Sequence, residues 1–408
     1  MSADLVERVR RRLAVGRAEL TPAAVAEAVR DEAGGVLGDA EVLSALTLLR
    51  QEFVGAGPLD PLLADPDTTD VLVTGPGEVW ADGAQGLRRT TITFPDEAAV
   101  RRLAQRLAVA AGRRLDEAVP YVDGWLPGSG PSGRIRLHAV LPPIAAAGTC
   151  LSLRVLRPAI HDLDELRARG TFDSKTATLL RAVVTSRLAF LVVGGTGSGK
   201  TTLLAALLGC VPHTERVLCV EDAGELQPNH PQVIRLVARP ANIEGAGEVP
   251  VRELVRQALR MRPDRIVVGE VRGAEVCDLL ATLNTGHDGG AGTLHANSPT
   301  EVPARLEALA ALGGLDRTAL HSQLAAAVQV VLHMQRAPDG TRHLAEIGVF
   351  NRTPTTLEVR TAWHHVHGPQ DAWPVLRSLL DRSPEPNAVS EPGRSTDPSF
   401  PCRQSDPQ

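Results

Sequence analysis

Apolar residues recur along this chain with two different periods, and the period changes shortly after residue 50. At the start, Leu5, Val9 and Leu13 lie at helical spacing, and Thr21-Pro22 reads as an N-cap followed by proline at the first helical position. Leu43, Leu46 and Leu49 continue the helical pattern until Gly55 to Pro61 interrupts it. This predicts a helical amino-terminal segment over 1–50. From Asp70 the pattern shortens to strands and turns: Val71-Leu72-Val73, the turn Gly75-Pro76-Gly77, then Val79-Trp80-Ala81. A helix is predicted over Ala98 to Ala111, with Leu103 and Leu107 on one face, and strands over Ile135 to Leu141 and Leu151 to Val155. A small mixed α/β domain over 51–157 accounts for these elements.

Further on, the strands lose their alternation. Ala189 to Val193, Val217 to Val220 and Ile266 to Val268 are short, continuously apolar runs, Val233 to Val237 is a further apolar strand broken by Arg235, and Thr201 to Leu208 can form the helix after the glycine loop that follows the first. Fully apolar strands between helical stretches predict a parallel sheet covered on both faces, here a domain over 158–382. Val328 to Met334 and Ala345 to Phe350 supply later strands. The tail, 383–408, is rich in Pro, Ser, Arg and Glu and is expected to be disordered. No internal repeat is visible.

Composition adds exclusions. With 408 residues, 43% hydrophobic and 22% charged, the chain can bury a substantial core, and a net charge of -5 gives no basic coat for nucleic acid, so no direct nucleic-acid binding is expected. The five cysteines form no pair with metal-ligand spacing, and no run approaches the roughly 18 apolar residues of a membrane span. The acidic start without a signal-like segment points to the cytoplasm, with membrane contact at most peripheral. The basic run Arg8 to Arg12 reads either as a solvated face or as a lipid or partner contact. Lysine occurs only at Lys175 and Lys200, which makes the second of these informative.

Lys200 closes the run Gly194-Gly195-Thr196-Gly197-Ser198-Gly199-Lys200-Thr201, followed by Thr202. This satisfies G-x-x-x-x-G-K-[ST] between an apolar strand and a helix. Glycines let the backbone wrap phosphate oxygens, the lysine reaches the outer phosphates, and the Thr201 hydroxyl suits magnesium. An ordinary glycine-rich turn would not require the lysine. Hydrolysis also needs a positioned water, and Glu270, at the end of the apolar run Ile266 to Val268, is the candidate to polarise it and to help organise magnesium; the alternative is a surface or capping acid. Glu221-Asp222 and Glu225 form either an acidic cluster beside magnesium or an exposed strand exit. His287 and His295 are compatible with a metal site, with sensing of the γ-phosphate, or with structural hydrogen bonding.

The order of these motifs resembles the TadA/CpaF branch of the type II/type IV secretion ATPases, the motors of tight-adherence or Flp pili. The resemblance covers roughly Phe53 to Phe350 and rests on the glycine loop, the Asp-box stretch Glu221 to Leu226, Arg262 to Arg272, and the His-box stretch Leu283 to Pro299. Gly57 to Leu63, Gly112 to Asp116 and Arg134 to Pro143 resemble the family's amino domain. The chain departs from the pattern at Cys219-Val220 and at Gly290-Ala291-Gly292, where an extra glycine is expected to loosen the segment. The resemblance implies a RecA-like P-loop NTPase core behind the small α/β domain and helical segment, with ATP and magnesium bound. It implies that Glu270 is the catalytic acid, that Glu221 and His295 belong to the Asp and His boxes, and that Lys200 takes part in catalysis. It also implies that Thr201, Glu221 and Glu270 hold magnesium, partly through water, and that Arg114, Arg136 and Arg154 approach phosphates. A homohexamer working on inner-membrane platform proteins follows from the same likeness. A conjugation-associated ATPase serving DNA-protein transfer and a non-hydrolysing regulatory or scaffold subunit are the competing functions.

Overall fold

The computed structural model describes residue 31 and residues 55–83, 86–126, 134–156, 162–241, 245–353 and 356–381. The basic run Arg8 to Arg12 and the expected tail lie outside these residues, as does the amino-terminal helical segment apart from residue 31.

The first part holds α1 (Asp60–Ala64), β1 (Thr68–Gly75), β2 (Glu78–Gly83), β3 (Arg88–Arg89), α2 (Glu97–Ala110), β4 (Tyr121–Leu126), β5 (Arg134–Val140) and β6 (Cys150–Leu156). Its strands form a six-stranded sheet in the order β3-β2-β1-β6-β5-β4, every pair antiparallel. Alternation decides which face is covered. Val71, Val73, Leu137, Leu151 and Leu153 turn inward beneath the stripe Val100, Leu103, Ala104 and Leu107 of α2. The Asp96 carboxylate starts that helix by accepting from the Ala99 amide at 2.7 Å.

The second part holds α3 (Leu163–Ala168), α4 (Ser174–Thr185), β7 (Phe190–Val193), α5 (Lys200–Leu208), β8 (Val217–Glu221), β9 (Val233–Val237), α6 (Val251–Ala258), β10 (Arg265–Val271), α7 (Glu275–Leu283), β11 (Ala291–Leu294), α8 (Val302–Leu312), α9 (Arg317–Ala327), β12 (Val330–Arg336), β13 (Arg342–Arg352), β14 (Leu357–His364), β15 (Gly368–Pro369) and α10 (Trp373–Asp381). They build a nine-stranded sheet, β15-β14-β13-β12-β7-β11-β10-β8-β9, parallel from β12 to β9 and antiparallel beyond. Every residue of β7 is buried because both faces are packed. Phe190 and Val192 join the cluster made with α3, α4, α5 and α10, while Leu191 and Val193 join the opposite cluster with α6, α7, α8 and α9. Each such side chain contributes about 1.5–3 kcal/mol by leaving water, which is why the continuous apolar run specifies a central strand. The strand before the glycine loop is separated from β10 by one strand, β11. That order is the RecA-like arrangement.

Two elements were not anticipated from the sequence: β14, which extends the sheet antiparallel beyond the expected strand β13, and α10, which closes the face above α3 and α4. The starts of β8, β10 and β11 are tied together by Arg265, 1% exposed, which donates to Glu215 at 2.7 Å and to the Gly289 carbonyl at 3.4 Å.

Candidate functional site

At the carboxyl end of β7 the chain turns through Gly194 (φ 148°), Gly197 (φ 71°) and Gly199 (φ 92°), the last serving as N-cap of α5. A Cβ on Gly194 would sit 2.3 Å from the Met334 carbonyl oxygen, so glycine there is required by both conformation and space. Gly195, Thr196 and Gly197 form the exposed crest of the loop. Ser198 is buried and donates from Oγ to the Gly195 carbonyl at 2.9 Å. Lys200, 8% exposed, bends back and donates from Nζ to the carbonyls of Gly194 and Gly195 at 3.0 and 2.9 Å. Thr201 and Thr202 follow in the first turn of α5, both half-buried. An open crest at a helix start, with a buried ammonium beneath it, is built for an anion. Burial holds the Lys200 amine below its ordinary value, with Glu270 opposing and Arg272 reinforcing that shift.

Parallel register brings the acids to the same edge. β8 ends at Glu221, Val220 pairs with Val268 on β10, and β11 runs Leu294 alongside both Val271 and Val193 before reaching His295. His295 Nε2 lies 2.7 Å from Glu270 Oε1 without the alignment of a hydrogen bond, so that Oε1 is buried and has no donor. The other oxygen of Glu270 accepts from Arg272, which also reaches Asp222 at 2.8 Å. Burial, then Lys200, keeps the His295 imidazole below its usual value, against the pull of Glu270.

Glu221 is 3% exposed; its Oε2 accepts the amides of Glu225 and Leu226 at 2.6 and 2.8 Å, while Oε1 has no partner. Burial pushes its carboxyl up to about 7, opposed by those two amides. Gly269 makes room for it, since a Cβ there would lie 2.6 Å from Glu221 Cγ. Two buried carboxylate oxygens lacking donors, Glu221 Oε1 and Glu270 Oε1, together with the Thr201 hydroxyl, form an all-oxygen donor set of the kind a hard divalent cation takes. The residues fit magnesium.

The histidine pair is not brought together. His287 precedes β11 and His295 follows it, at opposite ends of a four-residue strand, and no group of three metal-ligating side chains exists among the described residues. This removes the metal reading of that pair. The extra glycine of the His-box stretch does not loosen it either. A Cβ on Gly290 would lie 2.4 Å from Leu283 Cδ2 and 2.7 Å from the Ile266 carbonyl oxygen, so it permits close packing of β11 on β10. Thr293 Oγ1 fixes the same contact by donating to the Gly269 carbonyl at 2.6 Å.

The three amino-side arginines are placed differently from one another. Arg136 and Arg154 face each other across β5 and β6, pair with Asp123 (2.8 Å) and Asp70 (2.9 Å), and lie within electrostatic reach of Glu225. Arg114 is engaged by Asp116 on the first sheet unit. Sequence reading missed a second basic pair on the far side of the loop. Arg342 of β13 donates from Nε to the Gly197 carbonyl at 2.8 Å, and Arg336 of β12 comes within 3.7 Å of where a Gly197 Cβ would be. The turn Asp339-Gly340 between two apolar runs was the available signal, because it predicts a hairpin that would pair both arginines beside the turn. Between this hairpin and the start of α5 lies a cavity of about 270 Å³.

Sheet order, glycine loop and the acids across one intervening strand place the second sheet in the RecA-like class of P-loop folds. The chain belongs to the type II/IV secretion system protein family, whose pattern it matches over residues 52–362. It is 65% identical over 346 residues to a Mycobacterium tuberculosis (strain H37Rv) protein whose name assigns it provisionally to conjugal transfer, covering 85% of this chain and 98% of that one. It is 34% identical over 278 residues to the Bordetella pertussis type IV secretion system protein PtlH, covering 61% of this chain and 78% of that one. Among solved structures it is similar to the Legionella pneumophila ATPase DotB, with 20% identity, a TM-score of 0.49, and coverage of 76% of this chain and 81% of that one. No helix among the described residues is long and apolar enough to cross a membrane.

Proposed function

We propose that this chain is an ATP-hydrolysing motor that powers a type II/IV secretion or pilus-assembly machine. The observation that carries the reading is the convergence of Lys200, Glu270, His295 and Glu221 at one edge of the second sheet. In this reading Gly194 to Thr202 cradle the triphosphate, and Lys200 exchanges its loop carbonyls for phosphate oxygens. Glu270 Oε1, buried and without a donor, accepts a hydrogen bond from the attacking water and aligns it on the γ-phosphorus. The water oxygen bonds to phosphorus, the bond from the γ-phosphorus to the β–γ bridging oxygen breaks, and the water's proton leaves through Glu270. His295, kept below its usual value by burial and Lys200, stays neutral beside Glu270, whose other oxygen is held by Arg272. Magnesium, when bound by Thr201 with Glu221 and Glu270, directly or through water, neutralises charge on the phosphate oxygens.

Residues 51–157 and 158–382 act as two domains that turn against each other between nucleotide states, with Arg136 and Arg154 carried toward the phosphates and Arg114 more distant. The working form is a homohexamer at the cytoplasmic face of the membrane, driving platform proteins of a tight-adherence pilus. A second reading, service to DNA-protein transfer, is favoured by the relative named for conjugal transfer. Deleting the gene separates them: loss of filaments with intact DNA transfer supports the first, and the converse supports the second. The enzymatic claim is tested by magnesium-dependent phosphate release from the full chain with its membrane partner. Glu270→Gln and Lys200→Ala are expected to reduce it at least about a hundredfold. Equal release by wild type and Glu270→Gln would sink it.

A further inference from the structure

We propose that His333 is a positioning residue for hydrolysis: its buried ring anchors the far end of the segment His295-Ala296-Asn297 beside the glycine loop and so sets His295 against Glu270. This rests on the reading of the chain as an ATPase, and it adds a residue that lies outside the glycine loop, the acids and the His-box stretch. Register places it. Val193, the residue before the glycine loop, pairs with Leu294 of β11 on one side and with His333 of β12 on the other. The segment that leaves β11 at His295 has reached the ring of His333 by Asn297, whose backbone draws a proton toward that imidazole and therefore presents its carbonyl. Ala296, between them, is buried in the cluster on the sheet face opposite α5. The segment thus crosses the end of β7 where the glycine loop begins, with Glu270 near one end and His333 at the other.

His333 is chemically out of place in its strand. β12 is buried from Val330 to Met334, and every other residue of that run is apolar. The imidazole is 2% exposed, and its Nδ1 has no hydrogen-bond partner: Glu346 Oε1 of β13 stands 3.5 Å away without the alignment of a hydrogen bond. Burial holds the ring below its usual value, against the pull of Glu346 and of the Asn297 backbone. A buried imidazole with one nitrogen unsatisfied is less stable than an apolar side chain of similar volume, so packing does not account for it. What the ring reaches does. The other oxygen of Glu346 accepts from the Thr361 hydroxyl of β14 at 3.0 Å, and the Asn297 amide donates to Glu301 at 3.0 Å, so both neighbours of the ring are themselves held. Along the chain the next residue, Met334, turns its carbonyl toward Gly194, where a Cβ would lie 2.3 Å from it. One side chain therefore stands at the meeting point of the His295 segment, the outer strands and the turn into the glycine loop.

The test compares the full wild-type chain with His333→Leu, which fills the space without polar atoms, and His333→Gln, which keeps a polar group on the ring's site. Magnesium-dependent phosphate release with the membrane partner present is expected to show kcat lowered about tenfold or more in the leucine variant, with KM for ATP within about twofold, and kcat largely restored in the glutamine variant. A leucine variant with unchanged kcat, a loss shared equally by kcat and KM, or a glutamine variant as slow as the leucine one overturns the proposal. Hydrogen exchange of the nucleotide-free chain gives a readout that needs no activity. Amides of the peptide 294–301 should exchange at least about tenfold faster in His333→Leu than in wild type and His333→Gln, while those of β10 are unchanged. Unchanged exchange at 294–301, or acceleration of both peptides alike, overturns the anchoring role. If the wild-type chain releases no phosphate, the ATPase reading has failed, and the exchange measurement still decides whether His333 holds the segment.

Discussion

Replacing Glu221 by glutamine isolates the protonation of one buried carboxyl. In the folded chain burial pushes this group up to about 7, whereas its ordinary value is 4.5. The folded state therefore holds an extra proton between those limits, and stability present below about pH 4.5 is lost as pH rises through about 7. The whole displacement corresponds to about 3 kcal/mol, of which about 2 to 3 kcal/mol falls between pH 5 and pH 8. Glutamine keeps the acceptor for the Glu225 and Leu226 amides, bonded at 2.6 and 2.8 Å in the native chain, but it cannot ionise. Urea denaturation of wild type and Glu221→Gln in parallel, without nucleotide or magnesium, reads the difference; the histidines and surface acids common to both cancel. The wild type should lose ground to the variant by that amount as pH is raised across the window. A difference in stability that stays constant from pH 5 to pH 8 would refute the claim that burial raises the Glu221 carboxyl.

Two packing predictions follow from the same region and its opposite edge. Gly290→Ala forces a methyl group against the Ile266 carbonyl at 2.7 Å, and because that neighbour is backbone the strand pair must separate; a loss of about 1–3 kcal/mol is expected in denaturant titration. Glu215→Ala strips the carboxylate from Arg265, which is 1% exposed, and should cost about 3–5 kcal/mol, visible as a lowered thermal midpoint. Phosphate release should fall in that variant only as far as folded protein is lost, because Glu215 lies at the sheet edge away from the loop.

How much was legible in advance varied with the range of the interaction concerned. The glycine loop could be read directly because its requirements are local: positive φ at Gly194, Gly197 and Gly199, and a lysine in the first helical turn. The continuous apolar runs that became β7, β8 and β10 announced strands buried on both faces. By contrast β14 carries Glu358 and Arg360 between its buried residues and lies far from any motif, so nothing nearby marked it as part of the main sheet. The Asp339-Gly340 turn marked a hairpin at Arg342, but not its partner, since Arg342 meets Gly197 across 145 residues of chain.

By itself, then, the sequence determined the fold class and the glycine loop and singled out the acids as candidates, because period, glycine placement and residue chemistry are written in short windows. Only the tertiary structure decided which of those residues meet. It separated His287 from His295 across β11 and drew His295 to within 2.7 Å of Glu270. It also buried Glu221 behind Gly269 and set the β12–β13 hairpin against the loop. These outcomes depend on strand order and parallel register, which bring distant segments to one sheet edge through packing that no local window contains.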